Sequence, residues 1–443
     1  MKFRWEMEFK ETEIGEIPKD WEVKKINEIG EIGGGSTPST KVKDYWDGDI
    51  PWITPKDLAN HGSRFISCGE RNITRKAVIE NSLKLYPNGT ILLTSRAPIG
   101  YVAIIKNPVT TNQGFKNIAP KEGTNSEFLY YLLINISEYL KDISGGSTFE
   151  ELTKEILKDV LIPFPPLPEQ SRIATVLSWF DDLIEVKRRQ NEILEKTAMA
   201  IFKSWFIDFE PFRACPEQER GNYEFVYNEE LGKEIPKGWE VKRLGEVVKT
   251  FKGISYKSAE KYQEYIEGGY IFITLDNFVR GGGFKTEYSW IKSERIKPSH
   301  LVREGDLIIA LTDMTQNTQV VGAPAIVILP NGFDGGVISL DCMKIESIVE
   351  NLKYYLYMFL KDTQEDNSTF ANGVNVLHLM VNNFLTGKII FIPPPHILQS
   401  FHSLIEPLFQ KIILNQKQIM TLRKIRDTLL PLLVFGKLRV EEI

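Results

Sequence analysis

The sequence predicts a mixed α/β (α+β) protein of 443 residues, with two globular domains separated by two long antiparallel helices that form a coiled coil. Two observations lead to this fold class. Apolar residues recur at alternating spacings of four and three over about ten helical turns in two places, which is typical of a coiled-coil seam. Three short motifs occur twice in the same order, which indicates an internal tandem duplication.

The first helix is predicted to follow a proline-rich turn, PPLPEQ, at 165–170, and the second to follow a related turn that begins at Pro394. The helix-pair interface is assigned to twelve seam residues: Leu177, Phe180, Ile184, Asn191, Leu194, Ile201, Ile405, Leu408, Ile412, Asn415, Ile419 and Leu422. Pro431 is expected to end or kink the second helix before the seam ends at Leu433. Helices of this length exceed the average of globular proteins, which favours mutual packing over the alternative of separate burial in two domains.

An antiparallel arrangement, centred on the two seams, brings Asn191 opposite Asn415 and Lys187 opposite Ile419. Two amides that meet in an apolar seam satisfy each other and fix the register, at some cost in stability.

The repeated motifs define the order of the domains. IPKDWEVK at 17–24 returns as IPKGWEVK at 235–242, GDIPWIT at 48–54 returns as GGYIFIT at 268–274, and PPLPEQS returns as PPHILQS. The order is therefore globular domain, helix, globular domain, helix. The predicted boundaries are 1–160 for the first domain, 161–207 for the first helix, 208–388 for the connector and second domain, and 389–443 for the second helix.

Each globular domain combines short strands and helices. The stretches 90–94, 101–105, 306–311 and 325–329 have the β-branched composition of strands, and 126–143 and 351–361 have helical apolar spacing. The intervening loops are rich in Gly, Ser, Thr and Asn, so much of each domain surface is predicted to be loop.

Composition narrows the protein class. With 42% hydrophobic and 26% charged residues, the chain is expected to fold, and it has no apolar run of membrane-spanning length. Its charged beginning lacks the apolar region of a signal peptide, which favours the cytoplasm. Cys68, Cys215 and Cys342 are too far apart for a disulfide framework or a metal knuckle.

Catalytic patterns are missing. No GxxxxGK[ST] phosphate loop is present, and the triple glycines at 33–35 and 281–283 lack dinucleotide spacing. The five histidines show no paired-ligand spacing, and the Glu-x-Lys triplets at 22–24, 185–187 and 240–242 use residues common enough to arise by chance. The sequence therefore predicts a protein that is not an enzyme by itself, with no catalytic residue, no metal and no cofactor.

Nucleic-acid binding has positive evidence. The stretch 41–121 holds twelve Lys and Arg against six acidic residues, although the whole chain carries a net charge of −5. Arg96 favours guanine, and Asn112 and Gln113 favour adenine, through paired hydrogen bonds. A solvated loop is the alternative interpretation, and the second domain is neutral over 249–344, although it is basic locally around Arg280 and Lys285.

Sixteen residues are candidates for contact with DNA, because each is a cation or a polar side chain in a predicted loop. They are Lys56, Arg64, Arg71, Lys76, Ser95, Arg96, Asn112, Gln113, Lys116, Asn277, Arg280, Lys285, Thr312, Gln316, Asn317 and Gln319.

With these residues identified, the chain resembles the DNA-specificity subunits of type I restriction-modification systems. The resemblance covers essentially the whole length and rests on the IPxxW entry of each domain, the duplicated order, and PPLPEQ followed by RIAxVLSxxDxxI. The second copy departs from this motif at 396–398, which leaves the start of the second helix open.

The resemblance implies two target-recognition domains that each read one half of a split site on double-stranded DNA, with the helix pair as a ruler. It also implies modification (methyltransferase) and restriction (endonuclease and translocase) subunits as partners. If the helices are the ruler, one heptad inserted after Lys196 and one after Lys424 should widen the unread gap by up to about three base pairs.

The rival hypothesis is a structural coiled-coil adaptor whose globular domains bind protein. Such an adaptor has no need of basic loops rich in Asn and Gln, so salt-dependent retention on mixed-sequence DNA separates the two functions.

Overall fold

The structure, a computed structural model, describes residues 2–5, 7–96, 98–145, 151–213, 223–314 and 319–442. It divides into two compact units, the first made of Met1–Val186 and Thr421–Ile443 and the second of Lys187–Met420.

The first unit is built from short strands and short helices. Its strands are β1 (Lys2–Arg4), β2 (Phe9–Lys10), β3 (Ile17–Pro18), β4 (Glu22–Lys25), β5 (Gly30–Gly34), β6 (Trp46–Ile53), β7 (Phe65–Ile66), β8 (Arg71–Ile73), β9 (Ile91–Ser95), β10 (Ile99–Ile105), β11 (Thr110–Thr111), β12 (Phe115–Pro120) and β13 (Leu161–Phe164). Its short helices are α1 (Ile26–Ile29), α2 (Pro55–His61), α3 (Arg75–Glu80), α4 (Ser126–Asn135), α5 (Ser137–Asp142) and α6 (Lys154–Asp159).

Two sheets organise this unit. The larger has the order β5-β12-β9-β10-β7, and the smaller has the order β11-β6-β8 with β6 and β11 parallel. Every residue of the central strand β9 is buried, which explains the consecutive apolar residues Ile91, Leu92 and Leu93 at its start. Helix α4 begins where the Asn125 side chain accepts a hydrogen bond from the Phe128 N–H (2.9 Å), and Phe128 joins the core formed with Ile91 and Leu93.

The long helix α7 (Leu167–Phe206) begins in the proline-rich motif, whose polar residues hold that start in place. The Gln170 amide accepts a hydrogen bond from the Asn125 N–H (2.8 Å) and donates to the carbonyls of Pro165 (2.9 Å) and Gly123 (3.1 Å). Glu169 accepts one from the Trp21 indole (3.0 Å). Both side chains are buried and hydrogen-bonded, so the motif anchors the start of α7 to the globular part of the first unit and fixes its direction.

The second unit has a similar composition of elements. Its strands are β14 (Phe225–Asn228), β15 (Lys233–Pro236), β16 (Glu240–Arg243), β17 (Val248–Lys252), β18 (Lys261–Tyr262), β19 (Tyr270–Ile273), β20 (Ser289–Ile291), β21 (Leu301–Val302), β22 (Leu307–Ala310), β23 (Thr312–Asp313), β24 (Pro324–Ile326), β25 (Gly336–Ile338), β26 (Cys342–Ser347), β27 (Ala371–Asn372), β28 (Leu377–Leu379) and β29 (Ile389–Ile392). Its short helices are α8 (Lys353–Asp362), α9 (Gln364–Ser368) and α10 (Val381–Gly387).

The sheets of the second unit repeat those of the first. The order β17-β26-β22-β24 places the buried strand β22 where β9 lies, and the parallel pair β19–β25 corresponds to β6–β11. The pairing of β16 with β29 likewise repeats that of β4 with β13. The predicted duplication and the mixed fold class are therefore confirmed.

The last two elements are the long helix α11 (Pro395–Val434) and the strand β30 (Arg439–Glu442). Within the second unit, the Asn415 amide donates to Asn191 Oδ1 (2.8 Å), and Phe206 on α7 packs against Phe401 with ring centroids 4.7 Å apart. Within the first unit, Arg426 pairs with Asp181. Residues late in α7 thus meet residues early in α11, which confirms the antiparallel helix pair.

Each unit buries its own part of the helix seam. All twelve predicted interface residues are buried or half-buried. Lys187 donates to Gln418 Oε1 (2.5 Å), one residue from the expected Ile419. This displacement lets the ammonium group reach a polar partner while Ile419 stays in the apolar seam.

Pro431 was expected to end or kink α11 before Leu433, and it does not end the helix, which continues to Val434. Proline removes one backbone donor, but here the loss falls in the last turn of the helix. The Phe435 N–H still donates to the Pro431 carbonyl (3.2 Å), and Leu430, Leu433 and Val434 are buried. Burial of these apolar side chains offsets the missing hydrogen bond.

The two ends of the chain meet in the first unit. Strand β1 pairs antiparallel with β30, and Arg439 in β30 forms salt bridges with Asp20 and Glu169. In the part of the chain that the structure describes, no helix has the length and apolar character needed to cross a membrane.

Candidate nucleic-acid interface

Polar residues from three separate segments of the first unit come together where strands β9 and β11 end. The Ser95 N–H donates to the Gly114 carbonyl (2.8 Å), and the Asn112 N–H donates to the Ile53 carbonyl (3.0 Å). The Leu152 N–H donates to the Ser95 carbonyl (2.9 Å), which adds the neighbouring residue Glu151. We call Ser95, Arg96, Asn112, Gln113, Lys116 and Glu151 the first polar edge.

Side-chain hydrogen bonds hold this edge in shape. Thr37 donates to Gln113 Oε1 (2.5 Å), and Asn112 Oδ1 accepts from the Gly114 N–H (2.9 Å). Lys116 Nζ donates to Ser95 Oγ (3.2 Å) and to Glu151 (3.1 Å). Gln113 is exposed and Arg96 half-buried, so both can meet a ligand in solution while the loop backbone stays fixed.

Three other predicted cations of the first unit are exposed. Lys56, one residue into α2, pairs with Glu70 (3.0 Å), and Lys76 pairs with Asp44 (3.1 Å). Arg71 stacks on Trp46, with its guanidinium 3.6 Å from the ring centroid. Pairs this exposed contribute little to stability, so these cations can exchange their partners for phosphates.

Arg64 is different, because its side chain is buried. It donates to the Tyr131 hydroxyl (3.1 Å) and to Asp182 (2.9 Å), and Tyr131 in turn donates to Asp181 (2.6 Å). Burial raises the pKa of Tyr131 well above its ordinary value, so the hydroxyl keeps its proton for Asp181. Charge counting could not detect this burial, and we leave Arg64 out of the DNA-contact set.

In the second unit, Arg280 and Lys285 are exposed, and Gln319 is half-buried, with its carbonyl accepting from the Gly281 N–H (3.0 Å). Asn277 is buried, and its amide donates to the carbonyls of Lys285 (3.0 Å) and Glu287 (2.6 Å). Asn277 therefore shapes the loop that carries Lys285 and is also left out of the contact set. Gln316 and Asn317 lie outside the described residues.

Thr312 is buried at the start of β23 and has two polar neighbours that the sequence did not indicate. Its hydroxyl donates to Asp341 Oδ1 (2.9 Å) and lies 3.4 Å from His378 Nδ1. We call Thr312, Asp341 and His378 the second polar edge. The three residues are far apart in the chain, so no local pattern could have associated them.

The long helices also expose apolar side chains that the seam does not use. In the first unit these are Trp179, Leu183 and Val186 on α7 and Ile425 on α11. In the second unit they are Ile193 on α7 and Leu404 and Leu414 on α11. Apolar residues grouped at helical spacing on an exposed helix are typical of a protein-binding surface.

Comparison with known proteins identifies the family. The model of the type I restriction modification DNA specificity domain matches residues 18–196 and 236–424, so each copy of the duplication matches once. The chain belongs to this family.

The type I restriction enzyme MjaIX specificity subunit of Methanocaldococcus jannaschii is 53% identical over 451 aligned residues, which cover 100% of this chain and 99% of the relative. The MjaVIII specificity subunit of the same organism is 26% identical over 100% of this chain and 99% of the relative. The EcoR124I/EcoR124II specificity subunit of Escherichia coli is 33% identical over 42% of this chain and 48% of the relative.

Among solved structures, the S subunit of a type I restriction-modification system from M. genitalium is similar in fold. The TM-score is 0.53 at 16% sequence identity, and the match covers 94% of this chain and 96% of the other.

Proposed function

We propose that this chain is the specificity subunit of a type I restriction-modification enzyme and reads a bipartite site on double-stranded DNA. The observation that carries the proposal is the duplication of one domain scaffold in a chain of this family. Two copies of one scaffold suit two half-sites, because each can carry its own reading residues while the helices hold a constant separation.

The first polar edge supports DNA reading in the first unit. Arg96 offers paired donors to guanine, and Gln113 an amide to adenine. The exposed cations Lys56, Arg71 and Lys76 supply phosphate contacts, which position the domain without specifying sequence. In the second unit Arg280 and Lys285 have the same role.

Partner subunits are proposed to dock on the helices. The exposed apolar side chains of α7, including Trp179 and Leu183, would otherwise face water, and a modification subunit could cover them. The chain is proposed to direct the methyltransferase and restriction subunits and to contribute no catalytic group of its own.

Selection of bound sequences from a random DNA pool, with the modification subunit present, tests this function. We expect two enriched sequence blocks separated by a gap of fixed length. Binding to mixed-sequence DNA should also weaken steeply as salt is raised, because cations that contact phosphates release counterions. Enrichment of a single block, or no retention on DNA at low salt, would favour the protein-binding adaptor instead.

The isolated chain, given S-adenosylmethionine and DNA, should transfer no methyl group, whereas the complex with the modification subunit should. Methyl transfer by the chain alone would contradict the non-catalytic role.

A further inference from the structure

The two units share one backbone frame around their polar edges. Three backbone hydrogen bonds of the first unit have counterparts in the second. The bond from Ser95 N to Gly114 O (2.8 Å) corresponds to that from Leu311 N to Asp341 O (2.7 Å), and the bond from Asn112 N to Ile53 O (3.0 Å) corresponds to that from Ser339 N to Ile273 O (2.9 Å). The bond from Leu152 N to Ser95 O (2.9 Å) corresponds to that from Leu379 N to Leu311 O (2.7 Å). The correspondence extends to the glycines that precede each edge. A Cβ at Gly35 would lie 2.2 Å from the Asn112 carbonyl, and a Cβ at Gly253 would lie 2.0 Å from the Ser339 carbonyl.

This shared frame allows the side chains of the two edges to be compared position by position. The equivalent pairs are Arg96 with Thr312, Gly114 with Asp341, and Glu151 with His378. Backbone that is constant while side chains change is what a scaffold needs if its two copies read different bases. The side chains at these positions therefore carry the difference between the half-sites.

The second edge differs from the first in its hydrogen-bonding character. Where the first unit has the donor Arg96 and no side chain at Gly114, the second has the carboxylate of Asp341. Thr312 is buried and donates to Asp341 Oδ1 (2.9 Å), which fixes the carboxylate, while Asp341 itself is half-exposed. An ionised carboxylate accepts several hydrogen bonds, so that from Thr312 leaves capacity for a ligand.

We infer that Asp341, positioned by Thr312, reads a cytosine in the half-site of the second unit by accepting a hydrogen bond from its N4 amino group. The inference rests on the proposed function and names a reading residue for it. In the major groove guanine presents only hydrogen-bond acceptors, and thymine presents an acceptor and a methyl group. Neither base therefore offers a donor to a carboxylate. Adenine offers an N6 donor, but its neighbouring N7 acceptor would face the second carboxylate oxygen. Cytosine has no acceptor beside N4 in that groove.

A reading carboxylate has a signature that a structural carboxylate lacks. Its negative charge opposes the phosphates, so removing it should strengthen binding to unrelated DNA while weakening the choice of base. Asparagine at this position would present a donor and an acceptor, the pattern that matches adenine N6 and N7.

The test uses the full chain in complex with its modification subunit and a random DNA pool. The wild type should require cytosine at one position of the second half-site. Asp341→Asn should lower the preference for cytosine over adenine at that position by about tenfold or more, raise affinity for unrelated DNA, and leave the first half-site unchanged. Asp334→Asn is the matched control, because this exposed carboxylate precedes β25 while Asp341 follows it. It should change neither half-site.

The possible outcomes separate the two proposals. If the wild type selects no bipartite sequence, the proposed function fails. If it selects one and Asp341→Asn selects the same second block with the same preference, the reading role of Asp341 is overturned while the function stands. Thermal melting reports whether the variant folds. If it does not, Thr312→Val decides, because it retains the carboxylate and removes its positioning hydrogen bond. Unchanged base preference in Thr312→Val would then overturn the inference.

Discussion

Arg96 and Arg64 belong to the same basic stretch of sequence, but burial gives their guanidinium groups different roles. Arg96 is half-buried in the first polar edge, where its planar donors can approach a ligand. Arg64 is enclosed by Tyr131 and by Ser178 and Asp182 of α7, so its charge is used inside the protein. A local count of charges treats the two as equal, and solvent access separates them.

Replacing Arg96 by alanine is expected to cost about 1–3 kcal/mol of discrimination at one guanine of the first half-site, because a paired contact to O6 and N7 is lost. Arg96→Lys is the matched control, since it keeps the charge but not the planar pair of donors. Both variants should lose discrimination, and only the alanine should lose part of the salt dependence. Binding selection across half-site variants measures this, and an unchanged preference would remove Arg96 from the site.

Replacing Arg64 by alanine is expected to lower the free energy of unfolding by about 1–3 kcal/mol, because buried hydrogen bonds to Tyr131 and Asp182 are lost. Lys76→Ala, which breaks an exposed pair with Asp44, should change it by less than about 1 kcal/mol. Urea denaturation compares the two. Equal effects would show that Arg64 is not part of the packed structure.

At the scale of elements, the helix seam contains one polar layer. Asn415 Nδ2 donates to Asn191 Oδ1 (2.8 Å), Asn191 Nδ2 lies 3.4 Å from the Ile412 carbonyl, and Asn415 Oδ1 is buried without a hydrogen-bond partner among the described residues. A buried layer that is only partly satisfied costs stability and disfavours any register that separates the two amides.

Replacing both Asn191 and Asn415 by leucine should therefore stabilise the second unit. Asn191→Leu alone should destabilise it by about 1–3 kcal/mol, because the buried Asn415 amide then keeps only its long hydrogen bond to Gln190 Oε1 (3.4 Å). A double-mutant cycle from denaturation curves gives the coupling between them. Faster amide hydrogen exchange along α7 and α11 in the double variant would reveal the loosened register. Additive effects of the two single changes would contradict direct coupling.

At the scale of the whole molecule, the antiparallel pairing dictates where a spacer can be lengthened. Insertions after Lys196 and Lys424, suggested by heptad spacing alone, would enter the two helices at different heights, because Asn191 lies opposite Asn415. The seam would then be out of register by a heptad between the two insertion levels. Insertions after Val186 and after Ile419 would enter the two helices at the same level of the pair. They would leave the hydrogen bond between Lys187 and Gln418 in place.

One heptad inserted at each opposed position should lengthen the helix pair by about 10 Å and widen the unread gap by up to about three base pairs, with both half-site sequences unchanged. Three base pairs also rotate the second half-site by more than a quarter turn, so some loss of affinity is expected. The insertions after Lys196 and Lys424 serve as the mismatched control and should bind poorly. Altered half-sites at an unaltered gap would mean that the helices do not set the distance.

The sequence by itself determined the features that are periodic or repeated. Heptad spacing of apolar residues encodes the two long helices, since it requires only that one helix face avoid water. Repeated motifs such as IPKDWEVK and PPLPEQ revealed the duplication and the family resemblance. The structure shows that Gln170 of PPLPEQ anchors the start of α7 through buried hydrogen bonds.

Tertiary structure decided whatever depends on residues distant in the chain. Strand order brings Thr312, Asp341 and His378 to one edge, and packing against α4 and α7 removes Arg64 from the surface. Packing also carries α11 past Pro431, because burial of neighbouring apolar side chains outweighs one lost backbone bond. Local sequence patterns could not predict these burial and contact energies, because each arises only when segments distant in the chain pack together and exclude water.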